Sequence, residues 1–144
     1  RAEFVREYNG VKYYNDSIAS SPTRTALGTL SLYDEKIIII AGGYDKHIPY
    51  EPLGPVINDK VKLLILLGDT APKIEKAVKE ASNYDADEIE IVNVTNMEEA
   101  VAVARERSTK GDIVSLSPAS ASFGLYKNFE ERGNHFKSIV NALK

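Results

Sequence analysis

The chain has 144 residues, 43% hydrophobic and 27% charged, with a formal net charge of −3, two histidines and no cysteine. That composition fits one globular domain and excludes a disulfide framework, a thiolate zinc site, a cysteine nucleophile and a histidine-rich metal centre; the acidic balance without a basic stripe speaks against nucleic acid as a partner. No run approaches the ~20 apolar residues that cross a bilayer and no signal peptide opens the chain, so no membrane partner and a cytoplasmic location are expected.

In chain order, residues 3–9 and 11–15 flank Asn9-Gly10, a strong two-residue hairpin signal, so an antiparallel pair should open the domain. Ser21-Pro22 reads as an N-cap and first helical residue, with a helix to about Leu32. Apolar runs at 36–41, 61–67, 88–92 and 112–115 are continuous rather than alternating, the pattern of strands buried on both faces. Between them lie a short helical pattern at 52–58, a helix at 69–82 and one to about Arg107 opened by a capping box from Thr95 to Glu98. A last helical region covers 126–143, where Gly133 should break or bend it. Strand and helix alternating at this spacing predict an α/β fold: a Rossmann-like, mostly parallel sheet flanked by helices, a single domain over residues 1–144. The chain begins with Arg1 rather than Met, and its first element starts at once, so it reads as a piece of a longer protein.

Ligands of open α/β sheets bind beyond the carboxyl ends of the strands. Three polar loops fall there: 15–21 (Asn15-Asp16-Ser17-Ile18-Ala19-Ser20-Ser21), 42–47 (Gly42-Gly43-Tyr44-Asp45-Lys46-His47) and 115–123, ending in Ser120-Ala121-Ser122-Phe123. If they share one rim, their hydroxyls, backbone N–H groups and the Lys46 ammonium form one anion-binding cleft. Each loop also has a plainer reading. Gly42-Gly43 serves a tight turn before a solvated lysine, Asp16 makes an Asx-turn, and Ser20 or Ser21 caps the helix. Ser122 and Phe123 lie just ahead of a helix start, which attracts carboxylates. Phe129 fits a core position by spacing, and Glu130-Glu131-Arg132 a solvated face. Neither a G-x-x-x-x-G-K-S/T loop nor a G-x-G-x-x-G turn occurs, so an autonomous ATPase is not expected.

Taken together, Arg1-Ala2-Glu3, Asn15-Asp16-Ser17, Gly42-Gly43-Tyr44-Asp45-Lys46 and above all Ser117-Pro118-Ala119-Ser120-Ala121-Ser122-Phe123 running into Lys127-Asn128-Phe129-Glu130-Glu131-Arg132-Gly133 resemble the C-terminal domain of the Mur ligases. These ATP-dependent enzymes build the peptidoglycan stem peptide, and so serve cell-wall biogenesis, cell shape and division. The likeness covers essentially the whole chain and is strongest to the branch that adds D-glutamate to UDP-N-acetylmuramoyl-L-alanine.

The resemblance implies a three-domain enzyme whose N-terminal and central domains hold the UDP-sugar, the phosphate loop and the Mg²⁺ ligands, while this domain closes over ATP. An acyl phosphate forms on the alanine carboxylate, and the D-glutamate amine attacks it. Arg1 and Asp16 are then implied nucleotide contacts. Ser20, Lys46, Ser122, Phe123 and Phe129 are implied to form the D-glutamate pocket. No catalytic or metal-binding residue is expected within the domain, whose part is positioning, and the isolated piece should be inactive. Four positions depart from the family pattern: Ile18, Ser20 and Ser21 stand where Lys, Thr and Asn are usual, and Ser120 stands where cysteine is common. The alternatives are another Mur ligase, a folylpolyglutamate synthase, or a stand-alone α/β module of the receiver or nucleotide-sensing kind. The last would need clustered acidic residues, whereas Asp16, Asp45 and Asp69 belong to different loops.

Overall fold

A computed structural model describes residues 2–144. Strands β1 (Glu3–Tyr8) and β2 (Val11–Asn15) form the antiparallel hairpin, with Asn9 and Gly10 both at positive φ (51° and 79°), as the tight primed turn requires. The other strands are β3 (Ile37–Ala41), β4 (Val61–Leu66), β5 (Glu90–Asn93) and β6 (Ile113–Leu116). The sheet order is β1-β2-β6-β3-β4-β5, parallel everywhere except at the hairpin.

The run Ile37-Ile38-Ile39-Ile40 explains the layering. Because side chains alternate along a strand, Ile37 and Ile39 enter one core with Leu64, Leu66, Ile57 and Ile74. Ile38 and Ile40 enter the other with Ile65, Val101, Leu116 and Phe136. The first core lies under α2 (Leu53–Lys60) and α3 (Ala71–Glu80), the second under α4 (Met97–Arg107) and α5 (Phe129–Asn141). Both faces of the central strands are covered, which is why their sequences are apolar throughout. At the far edge, β5 is half-exposed, so the expectation of burial on both faces fails there.

Other expectations need correction. The stretch from Pro22 is not one regular helix: α1 (Pro22–Arg24) continues as a π turn, Thr25–Thr29, and a 3₁₀ turn, Leu30–Leu32. The cap of α4 lies one residue later than the Thr95–Glu98 box. Asn96 Oδ1 accepts from the Glu99 N–H at 2.8 Å, and Glu99 Oε1 accepts from the Thr95 N–H at 2.8 Å. Helix α5 starts at Phe129, not Tyr126, capped by Asn128, whose Oδ1 accepts from the Glu131 N–H at 2.8 Å. Gly133 does not break α5, which runs through it. It lies buried inside the helix, where an added Cβ would stand 2.7 Å from Asn15 Nδ2, so glycine lets the helix approach the end of β2.

Candidate functional site

Strands β2, β6 and β3 are neighbours, and the three polar loops leave their carboxyl ends side by side. The backbone ties them together. Ala119 N–H donates to Ala19 O (2.9 Å), Gly42 N–H to Pro118 O (2.8 Å) and Tyr44 N–H to Ala121 O (2.9 Å), the last within an isolated antiparallel bridge. Gly42, at φ 108°, is required here, since a Cβ would fall 1.9 Å from Leu67 O. Ala119 is held at φ 54°, a conformation that L-residues adopt at a cost of order 1–3 kcal/mol unless surroundings enforce it.

The enforcing groups are hydroxyls. Gly43 N–H donates to Thr70 Oγ1 at 3.0 Å, Thr70 Oγ1 lies 2.7 Å from Ser120 Oγ, and Ser120 Oγ lies 2.8 Å from Tyr50 OH, which donates to Ala119 O at 2.8 Å. One set of proton positions satisfies all four: Gly43 to Thr70 to Ser120 to Tyr50 to Ala119. Burial pushes the Tyr50 phenol above its ordinary pKa, which keeps it a neutral donor.

From the opposite face, Arg132 of α5 reaches under the same loops. Its Nε donates to Ser17 Oγ (2.8 Å), Nη2 to Ser17 O (2.8 Å) and Nη1 to Ser120 O (2.9 Å). The Arg132 side chain is buried, so the expected solvated face of Glu130-Glu131-Arg132 holds only for the two glutamates. A readable signal existed: Phe129, Arg132, Phe136 and Val140 recur at helical spacing, on the stripe that faces the sheet.

Asp16 directly follows β2, is 4% exposed and accepts from Thr29 Oγ1 of the π turn. Burial raises its pKa, with Arg24 acting in the opposite sense. It lines a cavity of about 490 Å³ with Ala2, Arg24 and Leu27, apart from the residues expected around D-glutamate. Ser21, not Ser20, caps α1, accepting from the Arg24 N–H at 3.3 Å. Half-buried Ser20 donates within its own loop, to Ile18 O at 3.3 Å and Ser17 O at 3.4 Å.

Lys46 is exposed on the loop after β3 and makes no ion pair among the described residues. Its neighbour Asp45 is engaged, bonded to Lys73 Nζ (2.6 Å) and the His47 N–H (2.7 Å), which together hold its carboxyl below the usual range. Ser122 is half-buried with its carbonyl taken by the Tyr126 N–H (2.9 Å). Phe123 is 65% exposed and stacks edge-on against Tyr44, ring centroids 5.0 Å apart. With α5 beginning at Phe129, neither Ser122 nor Phe123 adjoins a helix start, and the helix-dipole argument for them falls. Phe129 sits half-buried at the first position of α5, its carbonyl accepting from Ser17 Oγ at 2.7 Å. Arg1 lies outside the described residues.

The loops that carry Ser20, Lys46, Ser122 and Phe123 thus leave neighbouring strand ends and are interlocked, with Phe129 at the start of α5 bonded to the first of them and Asp16 lining a cavity that none of these residues lines. Among the described residues, no group of three or more His, Asp or Glu side chains is placed to hold a metal.

The family model described as "Mur ligase, glutamate ligase domain" matches residues 1–120. The chain belongs to that family. It is 59% identical over 146 residues to a UDP-N-acetylmuramoylalanine–D-glutamate ligase of Acetivibrio thermocellus, covering 100% of this chain and 31% of the relative. A ligase of the same name from Clostridium botulinum strain Okra is 59% identical over 143 residues, covering 99% of this chain and 31% of the relative. The chain therefore spans about a third of the length of these Mur ligases. Among solved structures, a domain ascribed to a UDP-N-acetylmuramate:L-alanyl-gamma-D-glutamyl-medo-diaminopimelate ligase of Haemophilus ducreyi aligns with TM-score 0.62 and 12% identity, over 96% of this chain and 98% of that one. At that identity the likeness shows the fold alone.

Proposed function

We propose that this chain is the amino-acid-binding domain of a UDP-N-acetylmuramoyl-L-alanine–D-glutamate ligase, acting in peptidoglycan synthesis in the cytoplasm. The observation that carries the reading is the meeting of three loops at the ends of β2, β6 and β3, with the Lys46 ammonium unpaired beside them. D-glutamate brings two carboxylates and a nucleophilic amine. The Lys46 ammonium attracts one carboxylate, the Ser122 and Ser20 hydroxyls bond to the other, and Phe123 and Phe129 cover the aliphatic stem.

The new amide forms between the D-glutamate amine and the activated alanine carbonyl, with phosphate leaving. The domain contributes orientation rather than proton transfer, and orientation of this kind is worth up to ~7–11 kcal/mol of barrier. Closing the rim over the activated carboxyl also keeps water from it. We assign Asp16 to the nucleotide, since a carboxylate in the Arg24–Leu27 cavity is suited to accept from ribose hydroxyls, and Arg1 is its expected companion. We assign the Mg²⁺ ligands, with the ATP phosphate loop, to the rest of the protein.

The test is amide formation by the full-length enzyme from UDP-N-acetylmuramoyl-L-alanine, ATP and a panel of amino acids. Selective use of D-glutamate is expected, together with no ATP turnover by the isolated 144-residue chain. Preference for another amino acid, or ATP hydrolysis by the isolated chain, would overturn the reading.

A further inference from the structure

A cation sits in the fold where none is needed for packing. Arg132 is 3% exposed, and no carboxylate pairs with it among the described residues; burial lowers its pKa to about 10. A leucine or methionine at this point of the α5 stripe would fill the volume without desolvating a charge, and buried ions are costly unless their hydrogen bonds are nearly complete. The compensation here comes wholly from loop oxygens: Ser17 Oγ, Ser17 O and Ser120 O, each 2.8 or 2.9 Å from a different guanidinium nitrogen. Ser17 Oγ in turn donates a hydrogen bond to Phe129 O at 2.7 Å, closing a ring back onto α5. The third loop abuts the same group, since a Cβ built on Gly43 would lie 3.5 Å from Nη1.

We propose that Arg132 is the positioning residue of the amino-acid pocket: its guanidinium fixes the spacing of the loops after β2 and β6, against the loop after β3, and so sets where Ser20, Lys46 and Ser122 stand. The inference rests on the D-glutamate reading for its kinetic consequence, not for its structural one. The three acceptors each bond a different nitrogen of the planar fork, whereas the three N–H donors of a lysine share one nitrogen and cannot span them.

The experiment uses full-length ligase carrying Arg132→Lys, Arg132→Gln or Ser17→Ala. It measures KM for D-glutamate and for ATP, and amide hydrogen exchange across 17–21 and 117–122. Both arginine variants are expected to raise KM for D-glutamate about tenfold or more while KM for ATP stays within about threefold, because small misplacements of binding groups are amplified in this way. Exchange should quicken in the two loops together, and Ser17→Ala should do the same to a smaller extent. Three results would overturn the proposal. Restoration of the D-glutamate KM by lysine leaves charge alone as the cause. A parallel rise of both KM values with exchange faster throughout the domain is a merely structural effect. If the arginine variants do not fold, unchanged exchange at 117–122 in Ser17→Ala decides against it. The exchange result holds for any amino-acid substrate, so a wrong substrate and a wrong role for Arg132 are told apart.

Discussion

Tyr50→Phe removes one oxygen from the hydroxyl chain and leaves the ring in place. The lost hydroxyl is the donor to Ala119 O at 2.8 Å and the acceptor from Ser120 Oγ at 2.8 Å. Ser120 keeps Thr70 at 2.7 Å, so its hydroxyl is not orphaned. Ala119 is fully buried, and its carbonyl is left without the phenol; stranding one buried acceptor costs about 1–3 kcal/mol. The same carbonyl belongs to a residue at φ 54°, so weakening its anchor also lets that turn relax. We expect about 2 kcal/mol of destabilisation, near 6 °C in Tm for a domain of this size. The assay is urea unfolding of the purified chain followed by circular dichroism. The midpoint should fall with the slope unchanged, since the surface exposed on unfolding is the same. A midpoint equal to wild type would refute the hydroxyl chain as the element that holds Ala119.

Two further predictions bear on the rim. Gly42→Ala should cost about 3 kcal/mol or more, because φ 108° is strained for any L-residue and the new methyl would meet the Leu67 carbonyl at 1.9 Å; a melting temperature near wild type would contradict it. Asp16 has its folded pKa raised above the ordinary 3.8, so it favours the fold below that value and disfavours it as pH rises through the folded pKa. The Tm of Asp16→Asn should therefore gain on wild type as pH rises above the ordinary carboxyl value of 3.8. A gap that stays constant or narrows in differential scanning fluorimetry would reverse the sign assigned to this group.

The architecture was legible because its central strands are buried on both faces: Ile37 to Ile40 and Val61 to Leu66 could be placed without knowing their neighbours. The shared rim was also legible, since strand ends and polar loops coincide in sequence. Local chemistry was harder to place. Helix starts were less legible: Thr95 and Asn96 are both good caps before α4, and before α5 the cap is Asn128, so the helix begins three residues after Tyr126. The π turn has no sequence signature of its own. It shows only in what it buries, Thr25 against Ala19 O at 3.3 Å and Thr29 against Asp16. Arg132 escaped because two exposed glutamates precede it. Its helical spacing with Phe136 and Val140 marks it for the buried stripe, but its partners lie 12 and 115 residues away, and those contacts no local pattern encodes.

The most direct measurement is the steady-state kinetics of Lys46→Ala in the full-length enzyme, with D-glutamate and ATP varied in turn. If the three loops form one carboxylate-binding rim, loss of its unpaired ammonium raises KM for D-glutamate by roughly 10- to 100-fold and leaves KM for ATP nearly unchanged. Equal rises in both constants, or none in either, would contradict the account.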